Sequence, residues 1–338
     1  MSESLPDFYL VGGHGVGLQS MIYYLAYLGL PTDAWWGWNE SHDKKISHTY
    51  PLAKNTNLYA RGVTCDHALP QPLRYGKGQQ KILWLIRDPV ALLCSYINQC
   101  IGDNLNPFSK NTCLGLNELT MDKFLHSDKF YYCMYSSQLR SVAARGDIMP
   151  IDTTDLLPDF CEKTMEYITK MFNQSMPTGI KDIFKTSYNS FYSRLFYNIP
   201  PTTLYRDYGT IQIYTCKALL YDFHFNFWQR SFFLGEYRWQ RERWNIFSKT
   251  PLPDGFTLLP EEQKAIVRNI GIVSAYHASA ISLYERHAIS KEELVDWLRH
   301  HKRHYRELLH LLVDELTLVQ RLAADKLAGW TYLHQLIG

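Results

Sequence analysis

The chain has 338 residues, 46% of them apolar, and a formal net charge of only +2. That length and composition suit one large α/β domain with additions, or a domain with a helical appendage, and they exclude a disordered or low-complexity chain. So balanced a charge excludes wholesale nucleic-acid binding and leaves room only for a local basic patch.

The seven cysteines (Cys65, Cys94, Cys100, Cys113, Cys133, Cys161 and Cys216) are odd in number and form no C-x-x-C pair. Free thiols in a reducing compartment fit this better than a disulfide framework or a zinc site. Met1 to Phe8 has no basic-then-apolar leader pattern, and no run of about 18 apolar residues occurs. The expectation is a soluble cytoplasmic protein without a metal or a spanning segment. The alternative is a Golgi enzyme trimmed of its anchor.

Phe8-Tyr-Leu-Val11 reads as a short buried strand that stops at Gly12-Gly-His-Gly-Val-Gly17. Leu18 to Leu28 reads as a helix, ended by Gly29 and Pro31. Trp35-Trp36-Gly37-Trp38 reads as an aromatic loop. Ile82 to Ile86 is a continuous apolar run, the pattern of a strand buried on both faces, and runs into Arg87-Asp88-Pro89 and a helix from Val90 to about Gln99. A short helix is expected near Met121–His126 and a longer one over Phe130–Ala144. A strand follows at Asp147–Ile151, then the acidic turn Asp152-Thr-Thr-Asp155 and a helix from Leu156 to Phe172. This alternation predicts a parallel, doubly wound sheet.

Residues 176–250 are rich in Tyr, Phe, Trp and Arg and show little periodicity. From about Pro260 the chain reads as helical. Ser290-Lys-Glu-Glu293 is a capping box. Arg299-His-His-Lys-Arg-His304 on the helix after it reads as a solvated face, or else as a surface for an anionic glycan, lipid or partner. The expected division is a nucleotide-binding domain over 1–250 and a helical C-terminal region over 251–338. The amphipathic helix after Ser290 has a face for the domain or for a second copy of the chain.

Gly12, Gly13, His14, Gly15, Val16 and Gly17, with Leu18, Gln19 and Ser20 at the helix start, have the spacing of a phosphate loop. Glycines allow several N–H groups to point at one anion, and the helix N-terminus adds partial positive charge. The Lys-Ser/Thr pair of a nucleotide hydrolase is absent. Arg87 leaves a buried strand and Ser95 lies eight positions on, so a guanidinium fork and a hydroxyl can hold one phosphate.

Here the chain resembles the sulfotransferase superfamily over about residues 8–172. Its members bind a 3′-phosphate with an Arg-(Asp/Asn)-Pro opening and a serine at this separation, and a 5′-phosphosulfate with a glycine loop after the first strand. Gln138-Leu139, the strand Ile148–Ile151 and Asp155-Leu156 are similar to a later family segment. The resemblance implies a P-loop-like doubly wound α/β sheet flanked by helices, with a helical C-terminal extension. It also implies 3′-phosphoadenylyl sulfate as co-substrate and transfer of its sulfuryl group to a hydroxyl, here on a glycan.

Family loops read Gly-x-x-(Lys/Arg)-x-Gly-Thr-(Thr/Ser). Set on this chain, the basic position falls on Gly15 and the threonines on Leu18 and Gln19. His14 is the first candidate for the base or the missing cation. His48 is the second, with Glu40, His42 and His67 as further possibilities. Trp35, Trp36, Trp38 and His42 are candidates for holding the acceptor, since aromatic faces stack on sugars and bases. Arg206, Arg230, Arg238, Arg241 and Arg243 could grip an acidic acceptor. The same fold with another nucleotide-activated donor, or a non-catalytic glycan- or protein-binding scaffold, are the competing readings.

Overall fold

The computed structural model describes residues 6–13, 15–36, 48–49, 58–66, 80–104, 115–126, 139, 146–184, 201–207, 209–217 and 232–338. Along the chain come β1 (Phe8–Val11), α1 (Leu18–Tyr27), β2 (Thr32–Trp36), β3 (His48–Thr49), β4 (Gly62–Asp66) and β5 (Gln80–Ile86). Then follow α2 (Pro89–Asn104), α3 (Glu118–Leu125), β6 (Gly146–Asp152), a 3₁₀ turn (Thr153–Leu156), α4 (Pro158–Met171) and α5 (Lys181–Phe184). Next are β7 (Thr202–Arg206), β8 (Gly209–Lys217), β9 (Phe232–Trp239), β10 (Glu242–Ser248) and α6 (Pro260–His287). The chain ends in α7 (Lys291–His300), α8 (Lys302–Leu322), α9 (Ala324–Ala328) and α10 (Thr331–Ile337). The helix expected over Phe130–Ala144 lies outside the described residues apart from Leu139.

The residues fall in two compact units. One takes in Met1–Ile97, Leu116–Tyr188 and Ile289–Gly338, the other Asn98–Gly115 and Asn189–Ala288. The first unit is mixed α/β, and the helices after Ile289 belong to it. Its sheet runs in the order β3-β2-β4-β1-β5-β6. β2, β4, β1, β5 and β6 are mutually parallel, and β3 adds an antiparallel edge. β1 is central and all four of its side chains are fully buried, as are Ile82 to Ile86 of β5. Apolar runs without alternation are what a strand covered on both faces requires.

Two strands escape that signature. Trp35 and Trp36, expected in a loop, lie in β2, and β4 carries Gly-Val-Thr-Cys-Asp. Both strands are five residues long and interrupted by polar residues, so neither reads as a continuous apolar run. Gly62 opens β4 opposite Phe8. A Cβ there would stand 2.3 Å from the Phe8 ring, so the pairing needs glycine.

The second unit is an antiparallel sheet in the order β7-β8-β10-β9, with α6 packed on β8 and β7. Leu204, Ile211, Ile213 and Ile266 form one buried cluster, and Cys216, Trp244, Phe247, Ile270 and Val273 another. An Arg206–Glu262 ion pair of 2.5 Å ties β7 to the first turn of α6. The β9–β10 hairpin turns on Gln240 and Arg241, with φ of 49° and 70°. That left-handed pair is the geometry of a two-residue hairpin turn, for which Asn-Gly is the usual sequence. Its absence hides this hairpin from sequence patterning.

Replacing Arg241 with glycine should relieve one strained left-handed residue and stabilise the hairpin by about 1 kcal/mol, read as a raised thermal midpoint. His277 of α6 stacks nearly parallel on Trp244, with centroids 6.4 Å apart. Burial, with the Lys217 charge nearby, pushes its imidazole down to about 4. The folded value lies below the unfolded one, so the unfolded chain binds the extra proton first. Stability should therefore fall as pH drops from about 6.5 to about 4, by up to about 3 kcal/mol. Urea midpoints across that window should show the slope, and His277→Phe should flatten it.

Candidate functional site

The strand order locates the site. From β1 the chain moves outward to β2 and back to β4, then crosses to the opposite side of β1 for β5 and β6. The direction reverses between β1 and β5. In open parallel sheets the crevice outside the carboxyl ends of two such strands is the ordinary place for a ligand. The segments that leave those two ends are the glycine turn and Arg87.

The turn is built by close packing. A Cβ on Gly12 would stand 3.0 Å from Val16 and 3.1 Å from Leu85. Gly15 and Gly17 have φ of 85° and 81°. Val16 and Leu18 are buried anchors. Gly17 caps α1 without a side-chain hydrogen bond, and the first turn of that helix carries no acid. Gln19 is exposed and Ser20 half-buried. His14 lies outside the described residues.

Arg87 Nη1 donates to the Gly15 carbonyl at 2.8 Å. The structure thus joins the two motifs that the sequence could only place in order. The guanidinium is half-buried. Desolvation draws it below its ordinary value, against the opposing fields of Cys94, Asp152 and Asp88. Among the described residues it has no carboxylate partner within ion-pair distance. Ser95 sits on the second turn of α2, half-buried, and makes no hydrogen bond with the described residues of the glycine turn. Thr153 links the end of β5 to the glycine turn: its hydroxyl donates to the Ile86 carbonyl at 3.1 Å and lies 3.4 Å from that of Val16.

The acids around Arg87 are engaged elsewhere. Asp88 Oδ1 accepts from the Val90 and Ala91 N–H groups at 2.9 and 3.4 Å, capping α2. Its Oδ2 accepts from Tyr332 and Leu333 N–H at 3.0 and 3.1 Å, at the start of α10. Burial raises the Asp88 carboxyl from its ordinary range, and these four N–H groups pull the other way. Asp152 Oδ1 accepts from the Thr154 amide and hydroxyl, both at 2.8 Å. Its Oδ2 accepts from the indole N–H of buried Trp330 at 2.7 Å. Asp155 accepts from the Asp152 N–H and pairs with Lys326 at 2.8 Å. Sequence reading found the Asp152–Asp155 turn but not the C-terminal donors, because nothing local links Trp330 to residues 178 positions earlier.

The other candidates are spread along the sheet. Trp35 and Trp36 close the carboxyl end of β2, two strands from β1. His48 begins β3 at the sheet edge, three strands away, or roughly 14 Å at ordinary strand spacing. Glu40, His42, His67, Trp38 and Arg230 lie outside the described residues.

Most of the basic run 299–304 serves internal contacts. Arg303 and His304 bond Asp122 of α3, His304 at 3.0 Å, and Arg299 bonds the Gln335 carbonyl. Desolvation raises the Asp122 carboxyl, but the hydrogen bonds and charges of Arg303 and His304 outweigh it and hold the group low. Among the described residues no cluster of His, Cys, Asp and Glu could hold a metal ion, and no helix is long and apolar enough to cross a membrane.

Compared with known proteins, the chain matches no family model and no curated protein.

Asp88→Ala removes the cap of two helices at once and should cost about 3 kcal/mol in urea unfolding. Asp88→Asn, which keeps one acceptor, should lose less.

Proposed function

We propose that this chain is a sulfotransferase-like enzyme that binds the phosphates of 3′-phosphoadenylyl sulfate at the β1–β5 crevice and transfers the sulfuryl group to a hydroxyl, on a glycan. The observation that carries the reading is the Arg87–Gly15 hydrogen bond at the reversal of strand order. It sets a guanidinium that has no ion-pair partner among the described residues on a glycine turn that opens a helix without an acidic first turn. Backbone N–H groups, helix end and guanidinium share one preference, which is for a phosphate oxygen.

In the transfer, the acceptor oxygen forms a bond to sulfur as the bond from sulfur to the 5′-phosphate oxygen breaks. The proton of the acceptor goes to a base, for which His14 is the candidate nearest the turn in sequence. The charge that collects on the departing 5′-phosphate is stabilised by the turn amides and by Arg87, which is given this phosphate, next to Gly15, in place of the 3′-phosphate that the resemblance implies for it. Trp35 and Trp36, on the same carboxyl edge as β1, suit a stacked sugar.

A second reading keeps the crevice and changes the donor. Leu18 and Gln19 stand where two hydroxyl side chains would serve a phosphosulfate, and this favours a nucleotide whose activated group is not sulfate.

Titration calorimetry with 3′-phosphoadenosine 5′-phosphate should show saturable binding. Arg87→Met should weaken it about 30- to 150-fold, the loss of a charge-assisted contact. The absence of heat from folded protein at high micromolar nucleotide would sink the first reading. A larger thermal shift with a nucleotide sugar or a cytidine nucleotide would support the second.

A further inference from the structure

Arg87 stands among acids and is bonded to none of them. Asp88 is its neighbour in sequence. Asp152 occupies the register position on β6 opposite Ile86, the residue before Arg87. Adjacent strands lie about 4.8 Å apart, so both carboxylates are within reach of a side chain as long as arginine. An arginine half out of water beside two carboxylates ordinarily pairs with one of them.

What prevents it here is a third element. Asp88 Oδ2 receives two backbone N–H groups from the start of α10, and Asp152 Oδ2 receives the indole N–H of Trp330. The remaining oxygens cap α2 and the 3₁₀ turn. Lys326 holds Asp155 three residues further on. Tyr332 is itself fixed, its hydroxyl on Glu292 at 3.0 Å and its ring under Lys291.

We propose that residues 326–333 act as a strap that completes the anion site: by engaging the carboxylates of Asp88 and Asp152 they keep Arg87 unpaired and available to an anionic group of the ligand. Trp330, Asp152 and Asp88 are positioning residues in this scheme and touch no ligand. The inference rests on the reading of the glycine turn and Arg87 as a phosphate site. It adds a dependence of that site on a segment more than 230 residues away in sequence.

Loss of the indole donor leaves Asp152 Oδ2 buried without its partner. Arg87, at the end of the strand paired with that of Asp152, is a cation that can satisfy it, and a guanidinium paired to a carboxylate competes with phosphate for the same donors. Charge on Asp152, rather than disorder of the tail, is then what weakens binding.

The test uses 3′-phosphoadenosine 5′-phosphate as probe, with calorimetry on the full chain and urea unfolding alongside. Trp330→Phe should weaken binding about tenfold, and Trp330→Phe combined with Asp152→Asn should restore it to within about twofold, because asparagine keeps the cap and removes the competing charge. Incorporating benzothienylalanine at position 330 removes only the N–H donor and keeps the shape, so it should reproduce the loss even if phenylalanine packs poorly. Binding unchanged in the benzothienyl protein, or a double variant as weak as Trp330→Phe, overturns the strap. An unaltered chain that folds and binds no nucleotide overturns the phosphate reading itself, and the strap with it.

Discussion

The Asp88 carboxylate is the point on which the carboxyl edge of the sheet depends. It receives four backbone N–H groups, two from the helix that follows β5 and two from a helix 244 residues later. Burying a carboxylate costs several kcal/mol, and each charged hydrogen bond returns about 1.5 to 3. The balance leaves the group above its ordinary range, with burial the largest cause. The interaction is therefore weak evidence for stability and strong evidence for geometry. It fixes where α2 begins, and so where Arg87 leaves β5.

The same edge repeats the device. Asp152 and Asp155 both cap the 3₁₀ turn after β6, and both take a donor from the C-terminal segment, the indole of Trp330 and the ammonium of Lys326. Three acids at the ends of two neighbouring strands are thus closed by one stretch of chain. This explains why the helices after Ile289 share a compact unit with the sheet although the sequence reads as a domain followed by an appendage. Helical periodicity reports which face of a helix is apolar; it carries no information on which sheet that face will meet.

The central part of the fold was legible for a simple reason. β1 and β5 are covered on both faces and read as unbroken apolar runs, and Gly12–Gly17 and Arg87-Asp88-Pro89 follow them directly. β2 and β4 were not, because polar residues interrupt Thr-Asp-Ala-Trp-Trp and Gly-Val-Thr-Cys-Asp. In the second unit the helix from Pro260 was legible, but the β9–β10 hairpin was not, because it turns on Gln240-Arg241, residues that carry no turn signal. At the candidate site, the two motifs could be read at the ends of their strands, though not the bond that joins Arg87 to the glycine turn. The C-terminal donors could not, since a cap that acts across 244 residues leaves no local spacing to detect.

If the turn is the phosphate loop proposed above, its own geometry accounts for the absence of a cation in it. A family-like loop would place lysine or arginine at position 15. Gly15 has a φ of 85°, and a Cβ there would stand 3.0 Å from Leu92 of α2. A long side chain at that position would be strained by the backbone and crowded by the helix. In the proposed site the cation comes instead from the neighbouring strand, where Arg87 is bonded to the carbonyl of the same residue. Two unit charges 4 Å apart interact by about 4 kcal/mol at an effective dielectric of 20. That attraction depends on where the charge stands and not on which strand supplies it. In the proposed site a guanidinium anchored by one N–H keeps its remaining donors for the ligand. A turn too tight for lysine and an arginine held free of its acids are thus two halves of one arrangement.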